Sequence, residues 1–196
     1  MKTTRLIMLT FLSVSLVFLS GCKDDPEEEV SPYVGDYIIT EAALSEALVL
    51  QTNEIGPMTV PAGTDITPMI TQALLGAIQC EPASSFIELR EDFTLFLYCE
   101  TSTTELDAGT WEEQSATVIV LFMNSTAIPS SPNGILLTVT DVSLVSNVLT
   151  GTTSVPIPRE MLAGVVALMS GGLATLDVEN TPVAVPITFT IELAKQ

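Results

Sequence analysis

Apolar and polar positions alternate along most of this chain, and that alternation predicts its elements. The clearest stretch is Val183, Val185, Ile187, Phe189, Ile191 and Leu193, each separated by a smaller or polar neighbour. A period of two belongs to a strand with one buried face, so a strand is expected there. Residues 34–40 open a similar β-rich segment that runs toward Val49-Leu50. Residues 85–89 and 93–98 flank the polar Arg90-Glu91-Asp92 and read as a hairpin. Gly109-Thr110-Trp111 opens a strand pair, followed by the apolar run 117–123. Residues 135–145 and 148–157 surround Ser146-Asn147, a second hairpin signature. Gly56-Pro57, Pro61-Ala62-Gly63 and residues 128–134 mark loops.

Two segments change period. After Thr67-Pro68, an N-cap and first-turn pair, Met69, Ile70, Ala73, Leu74, Ala77 and Ile78 recur at helical spacing up to Cys80. Met161, Leu162, Val165, Val166 and Met169 do the same within 158–169, and Gly171-Gly172 ends the pattern. Both are too short to cross a bilayer. Each follows a Val-Pro step, Val60-Pro61 and Val155-Pro156, but the likeness is too slight for a repeat. Many short strands, frequent turns and a helix in the first crossover predict a mainly β chain. With two short helices, these elements suggest either a closed antiparallel β-barrel or a β-sandwich, and periodicity alone does not choose between them.

The N-terminus follows a different logic. Lys2 and Arg5 precede an apolar run of 14 residues, 6–19, which suits the core of an export signal. Leu19-Ser20-Gly21-Cys22 resembles the bacterial lipobox, in which a diacylglycerol joins the cysteine sulfur before cleavage. The resemblance implies a signal over 1–21, lipidation of Cys22, an acidic tether over 22–32 and a folded domain over 33–196. The lipid chains would hold the protein to a membrane at about 0.8 kcal/mol per buried methylene. Cys22-Lys23-Asp24-Asp25, with Glu27, Glu28 and Glu29 close behind, resembles the acidic surface-export signal of Bacteroidetes lipoproteins. That implies an outer-membrane anchor facing the cell exterior, with the periplasmic face as the alternative.

Charge narrows the partners. Six Lys and Arg stand against 24 Asp and Glu, a net charge of −18, and the loss of Lys2 and Arg5 takes it to −20. Such a balance repels phosphate backbones and anionic lipid surfaces, so no nucleic-acid partner is expected. With 47% hydrophobic residues the chain still supports a packed core, and 175 residues after cleavage fit one domain.

The absence of histidine removes the commonest general base, the commonest metal ligand and every Ser/His or Cys/His pair. No catalytic residue, metal site or cofactor is therefore expected. The carboxylate pairs Glu91-Asp92 and Glu112-Glu113 are the nearest approach to acid–base chemistry. Neighbours on a strand point to opposite faces, and exposed acidic pairs more often guard a sheet edge. Cys80 and Cys99 stand at the two ends of the first hairpin. A bridge between them would close a loop of about 20 residues, contributing roughly 3 kcal/mol in an oxidising compartment. Two thiols fall short of a zinc shell.

Several of these residues together resemble the lipocalin-like lipoproteins of Bacteroidetes. They are Val34-Gly35-Asp36-Tyr37, the helix ending at Cys80, Ile87-Glu88-Leu89, Asp92-Phe93-Thr94 ahead of Cys99, and Asp107-Ala108-Gly109-Thr110-Trp111. The likeness covers residues 33–122 best, and Tyr37 stands where lipocalins carry the Trp of an opening Gly-x-Trp. It implies a barrel whose base is closed by Gly35 and Tyr37, whose hairpin is pinned by Cys80 and Cys99, and whose core holds Trp111, with Gly109 part of the same motif. The function this implies is a lipid-anchored binding module for a small apolar ligand in the barrel lumen. The alternative is a structural or adhesive surface protein with a filled barrel that meets a protein or glycan.

Overall fold

The computed structural model describes residues 30–102, 104–129 and 131–196, so Cys22 and the export signal lie outside the described residues. The compact unit is Ser31–Gln196. Its strands are β1 (Gly35–Leu44), β2 (Leu48–Leu50), β3 (Met58–Val60), β4 (Ser85–Leu89), β5 (Thr94–Cys99), β6 (Glu105–Ser115), β7 (Val118–Met123), β8 (Ile135–Val145), β9 (Val148–Pro158) and β10 (Ala184–Lys195). The helices are α1 (Thr67–Leu75) and α2 (Arg159–Met169).

Eight strands close a barrel in the order β1-β10-β9-β8-β7-β6-β5-β4, while β2 and β3 pair apart as a small hairpin. All the barrel pairings are antiparallel, and strands consecutive in the barrel are neighbours in space. This is the barrel that the lipocalin-like resemblance implied, and not the sandwich that alternation alone left open.

Bulges keep the apolar face inward where strict alternation fails. In β1, Ile39 pairs with Leu193 but Glu41 with Glu192, so Thr40 is the extra residue. Tyr37, Ile39, Ala42 and Leu44 therefore all point inside, although their spacing changes parity between Ile39 and Ala42. A second bulge in β6 leaves Ala108 as the extra residue opposite Leu95 and Phe96, and a third in β8 lies between Thr140 and Ser143, with Asp141 at φ +54°.

Prolines set where the wall stops pairing. Pro156 stands directly opposite Pro186. Neither has an N–H, so this is a non-hydrogen-bonded pair, and the missing donor of Pro156 faces β8. The β8–β9 ladder runs from the Val145–Val148 hairpin end as far as Thr140 and Thr152, and Pro156 lies beyond its last pair. At that hairpin Ser146 and Asn147 both have positive φ, +52° and +64°, as a two-residue type I′ turn requires.

The two helices differ from their sequence patterns at the ends. Helix α1 stops at Leu75 and not at Cys80, because residues 76–78 tighten into a 3₁₀ turn and Gln79 takes a left-handed conformation that redirects the chain. Its N-cap residue is Ile66, not Thr67, and the side chain that receives the first amides belongs to Asp65. The Asp65 carboxylate accepts from the Thr67 N–H and hydroxyl at 2.8 and 2.6 Å, while Thr67 Oγ1 accepts from the Ala42 N–H. The β-rich segment that runs toward Val49-Leu50 breaks after Leu44, so that Leu48–Leu50 forms the separate strand β2, and β3 falls between the two loop signals at Gly56-Pro57 and Pro61-Ala62-Gly63.

Candidate functional site

The barrel has two unlike ends. Short turns at 90–93, 116–117 and 146–147 lie at one end, together with the chain entry at Ser31 and the C-terminus. Long connections, 45–84 and 159–183, lie at the other. The closed end is pinned by aromatic donors on main-chain acceptors. Tyr37 Oη donates to the Tyr33 carbonyl at 2.8 Å, Tyr33 Oη to the Ala116 carbonyl at 2.8 Å, and Trp111 Nε1 to the Arg90 carbonyl at 2.9 Å. Tyr37 is fully buried and Trp111 is 2% exposed. Burial, with Tyr33 beside it, pushes the Tyr37 hydroxyl up to about 12.

Gly35 and Gly109 stand in one cross-strand row, Gly35–Leu89–Leu95–Gly109, and both have the positive φ that glycine tolerates. A side chain on Gly109 would meet the Phe122 carbonyl oxygen, so this position lets β6 approach β7. Gly109 thus lies inside β6 and does not open a strand. Cys80 and Cys99 form a disulfide with Cα atoms 6.0 Å apart, joining the segment after α1 to the end of β5. Gly35, Tyr37, Gly109 and Trp111 therefore lie at the closed end and in the wall of the barrel.

The interior is packed. Tyr37, Leu97, Met123, Leu137, Ile157 and Phe189, from six different barrel strands, are each less than 2% exposed. A void able to take an acyl chain would leave its lining accessible to a water-sized sphere, and these side chains are not. From the open end, Leu162 and Val166 of α2 descend into the same core, both fully buried. One inward group is out of keeping. Thr153, opposite Phe189, is 5% exposed, and its hydroxyl has no hydrogen-bond partner among the described residues. An unpaired buried hydroxyl costs about 1–3 kcal/mol.

The outer face is uneven: Phe122 and Leu136, paired across β7 and β8, are exposed and apolar, while the face of β8, β9 and β10 is polar. Thr140, Thr152 and Thr190 line up across β8, β9 and β10. Beside them Glu41, Asp141 and Glu192 edge an open cleft of about 330 Å³. No helix among the described residues is long and apolar enough to cross a membrane. The basic residues described are all engaged within the domain. Arg90 lies over the Phe96 ring and bonds to both Glu88 and Glu105 at 2.6 Å, Arg159 Nη1 donates to the Val178 and Thr181 carbonyls, and Lys195 Nζ donates to the Pro32 carbonyl. The field around the barrel is therefore set by carboxylates.

The carboxylate pairs singled out in the sequence sit apart from the lumen. Glu91, Asp92, Glu112 and Glu113 are all exposed. Glu112 accepts from Gln114, Glu113 from Ser31, and Asp92 from the Thr94 N–H and hydroxyl, which hold the Asp92 carboxyl below its ordinary range. Against this geometry, no protein-family model matches the chain and no curated protein matches it.

The open end is closed by a lid that the sequence does not disclose. The loop 51–56 from the β2–β3 hairpin is tied to residues 174–177 after α2. Asn53 N–H donates to the Thr175 carbonyl at 3.1 Å, Asp177 N–H to the Gln51 carbonyl at 2.9 Å, and the Thr175 N–H and hydroxyl donate to Glu54 at 2.7 and 2.9 Å. Leu50, Val60, Ala174 and Leu176 are buried beneath. Only the local Gly, Asn and Thr content of these segments hints at turns; their mutual contact spans more than a hundred residues.

Proposed function

We propose that this chain is a lipid-anchored lipoprotein of the cell envelope, without enzymatic activity, whose β-barrel serves as a binding module. Cys22 carries the lipid, and the acidic residues after it direct the protein to the outer face of the outer membrane. The chain enters at the short turns, so the lid formed by 51–56 and 174–177 points away from the entry. The observation that carries the reading of what is bound is the packed interior: side chains from six strands, and α2 above them, fill the space a ligand would need. This supports a surface partner, a protein or a glycan, over a guest in the lumen.

A second reading rests on one group. The unpartnered Thr153 hydroxyl favours a small apolar ligand that brings a polar head to that point, with α2 displaced to admit it. Native mass spectrometry of the mature protein, with titration of a fluorescent fatty acid, separates the two. The filled-barrel reading expects no co-purified small molecule and no saturable signal. Stoichiometric binding that Thr153→Val weakens would refute it in favour of the lumen.

A further inference from the structure

We propose that the lid end is a docking surface for a cationic amphipathic helical segment, with apolar residues on one face and Lys or Arg on the other; this rests on the filled-barrel reading above. Val49, Ile55, Met169, Leu173 and Val178 are 55, 59, 44, 78 and 49% exposed, and all belong to the two long connections at this end. Ile55 and Val178 share one surface, because Asn53 and Asp177 tie their loops together and Thr52 bridges Leu176. Large apolar side chains brought together as Ile55 and Val178 are mark interaction sites more often than singly exposed ones do.

Charge selects the occupant. Glu54 adjoins Ile55, while Asp177 and Glu179 flank Val178. Two of these carboxylates are held in place, Glu54 by Thr175 and Asp177 by the Asn180 amides. The cation at this end, Arg159, is already committed to the Val178 and Thr181 carbonyls and to Glu160. The patch is thus apolar with fixed negative charge around it, and a cationic amphipathic segment satisfies both parts. A second copy would bring the same sign of charge to the contact. The chain's own acidic tether has the same sign as well. Neither fits.

The test uses the mature chain with Cys22→Ser, so that no membrane competes for the probe. The probe is a fluorescein-labelled peptide of about 18 residues, Leu on one helical face and Lys on the other, read by anisotropy. Saturable binding is expected, weakened at least tenfold by Ile55→Ser with Leu173→Ser and again by Glu54→Gln with Glu179→Gln. A peptide with Glu in place of Lys should not bind. Equal binding by the Ile55→Ser, Leu173→Ser protein would overturn the lid as the site and leave the surface-partner reading standing. No peptide binding, together with stoichiometric uptake of the fluorescent fatty acid, would overturn both. Both residues replaced are exposed, and unchanged far-ultraviolet circular dichroism establishes that the variants fold.

Discussion

Replacing Gly109 with alanine should destabilise the barrel more than the same change at any other glycine discussed here, and the reason is geometric. Gly109 holds φ at +137°, a region that costs an L-residue on the order of 1–3 kcal/mol. An added Cβ would also overlap the Phe122 carbonyl oxygen and crowd its carbon at 3.1 Å and the Asn124 nitrogen at 3.4 Å. These are backbone atoms of the neighbouring strand, fixed by pairing at Gly109–Met123 and Thr110–Phe122, so they cannot swing aside. Overpacking against such a wall adds about 1–3 kcal/mol, for a combined loss of about 2–6 kcal/mol. Two further glycines calibrate the effect. At Gly151 the clash is with a side chain, Val139 Cγ1 at 2.5 Å, and φ is ordinary, so Gly151→Ala should cost about 1–2 kcal/mol. At Gly76 a Cβ meets open space and φ is −60°, so Gly76→Ala should be neutral or stabilising by about 0.4–1 kcal/mol. Urea unfolding followed by tryptophan fluorescence, with the disulfide intact and m-values compared, reads all three. A Gly109→Ala midpoint no lower than that of Gly76→Ala would refute the close-approach argument.

Other consequences are equally open to measurement. Changing Cys80 and Cys99 together to serine should lower stability by about 2–4 kcal/mol, for a bridge spanning 19 positions, seen as a matching fall in the urea midpoint. Tyr37→Phe removes the donor to the buried Tyr33 carbonyl and should cost about 1–2 kcal/mol. The same residue governs alkaline stability. The folded state keeps the Tyr37 proton to about 12 while the unfolded chain releases it near 10, so stability is fully present below pH 10 and falls between pH 10 and 12. Thermal melts of Tyr37→Phe across that range should decline less steeply than those of the parent. Cys22→Ser in the producing cell should abolish incorporation of radiolabelled palmitate and release the chain from the membrane fraction; retention of label would sink the lipid anchor.

Much of the wall was legible because strands write a short-range code. The alternation from Val183 to Leu193 became β10, and Ser146-Asn147 became the turn between β8 and β9 because both residues tolerate positive φ. Parity breaks were also in view, at Thr40-Glu41 and Thr140-Asp141, where adjacent polar residues interrupt the pattern and the strands bulge. The paired cysteines lay at the ends of a hairpin whose closure brings them together. The lid was not legible. Its strands are three residues long, and its defining bonds join residues 51–54 to 175–177, so no local pattern records them.

The state of the lumen separates the two levels of information most sharply. Alternation determined that the barrel strands have an apolar inner face, and helical spacing that Leu162 and Val166 share one face of α2. Whether those faces surround a space or meet each other depends on barrel closure, strand tilt and the angle at which α2 enters, none of which is written in a period of two or 3.6 residues. The tertiary structure decided it by bringing six strands' side chains into contact and placing α2 over them. Residue identity determined the uniform acidity in the same way. Only the fold committed Arg90, Arg159 and Lys195 to internal partners and left carboxylates and the apolar lid residues Ile55, Leu173 and Val178 exposed.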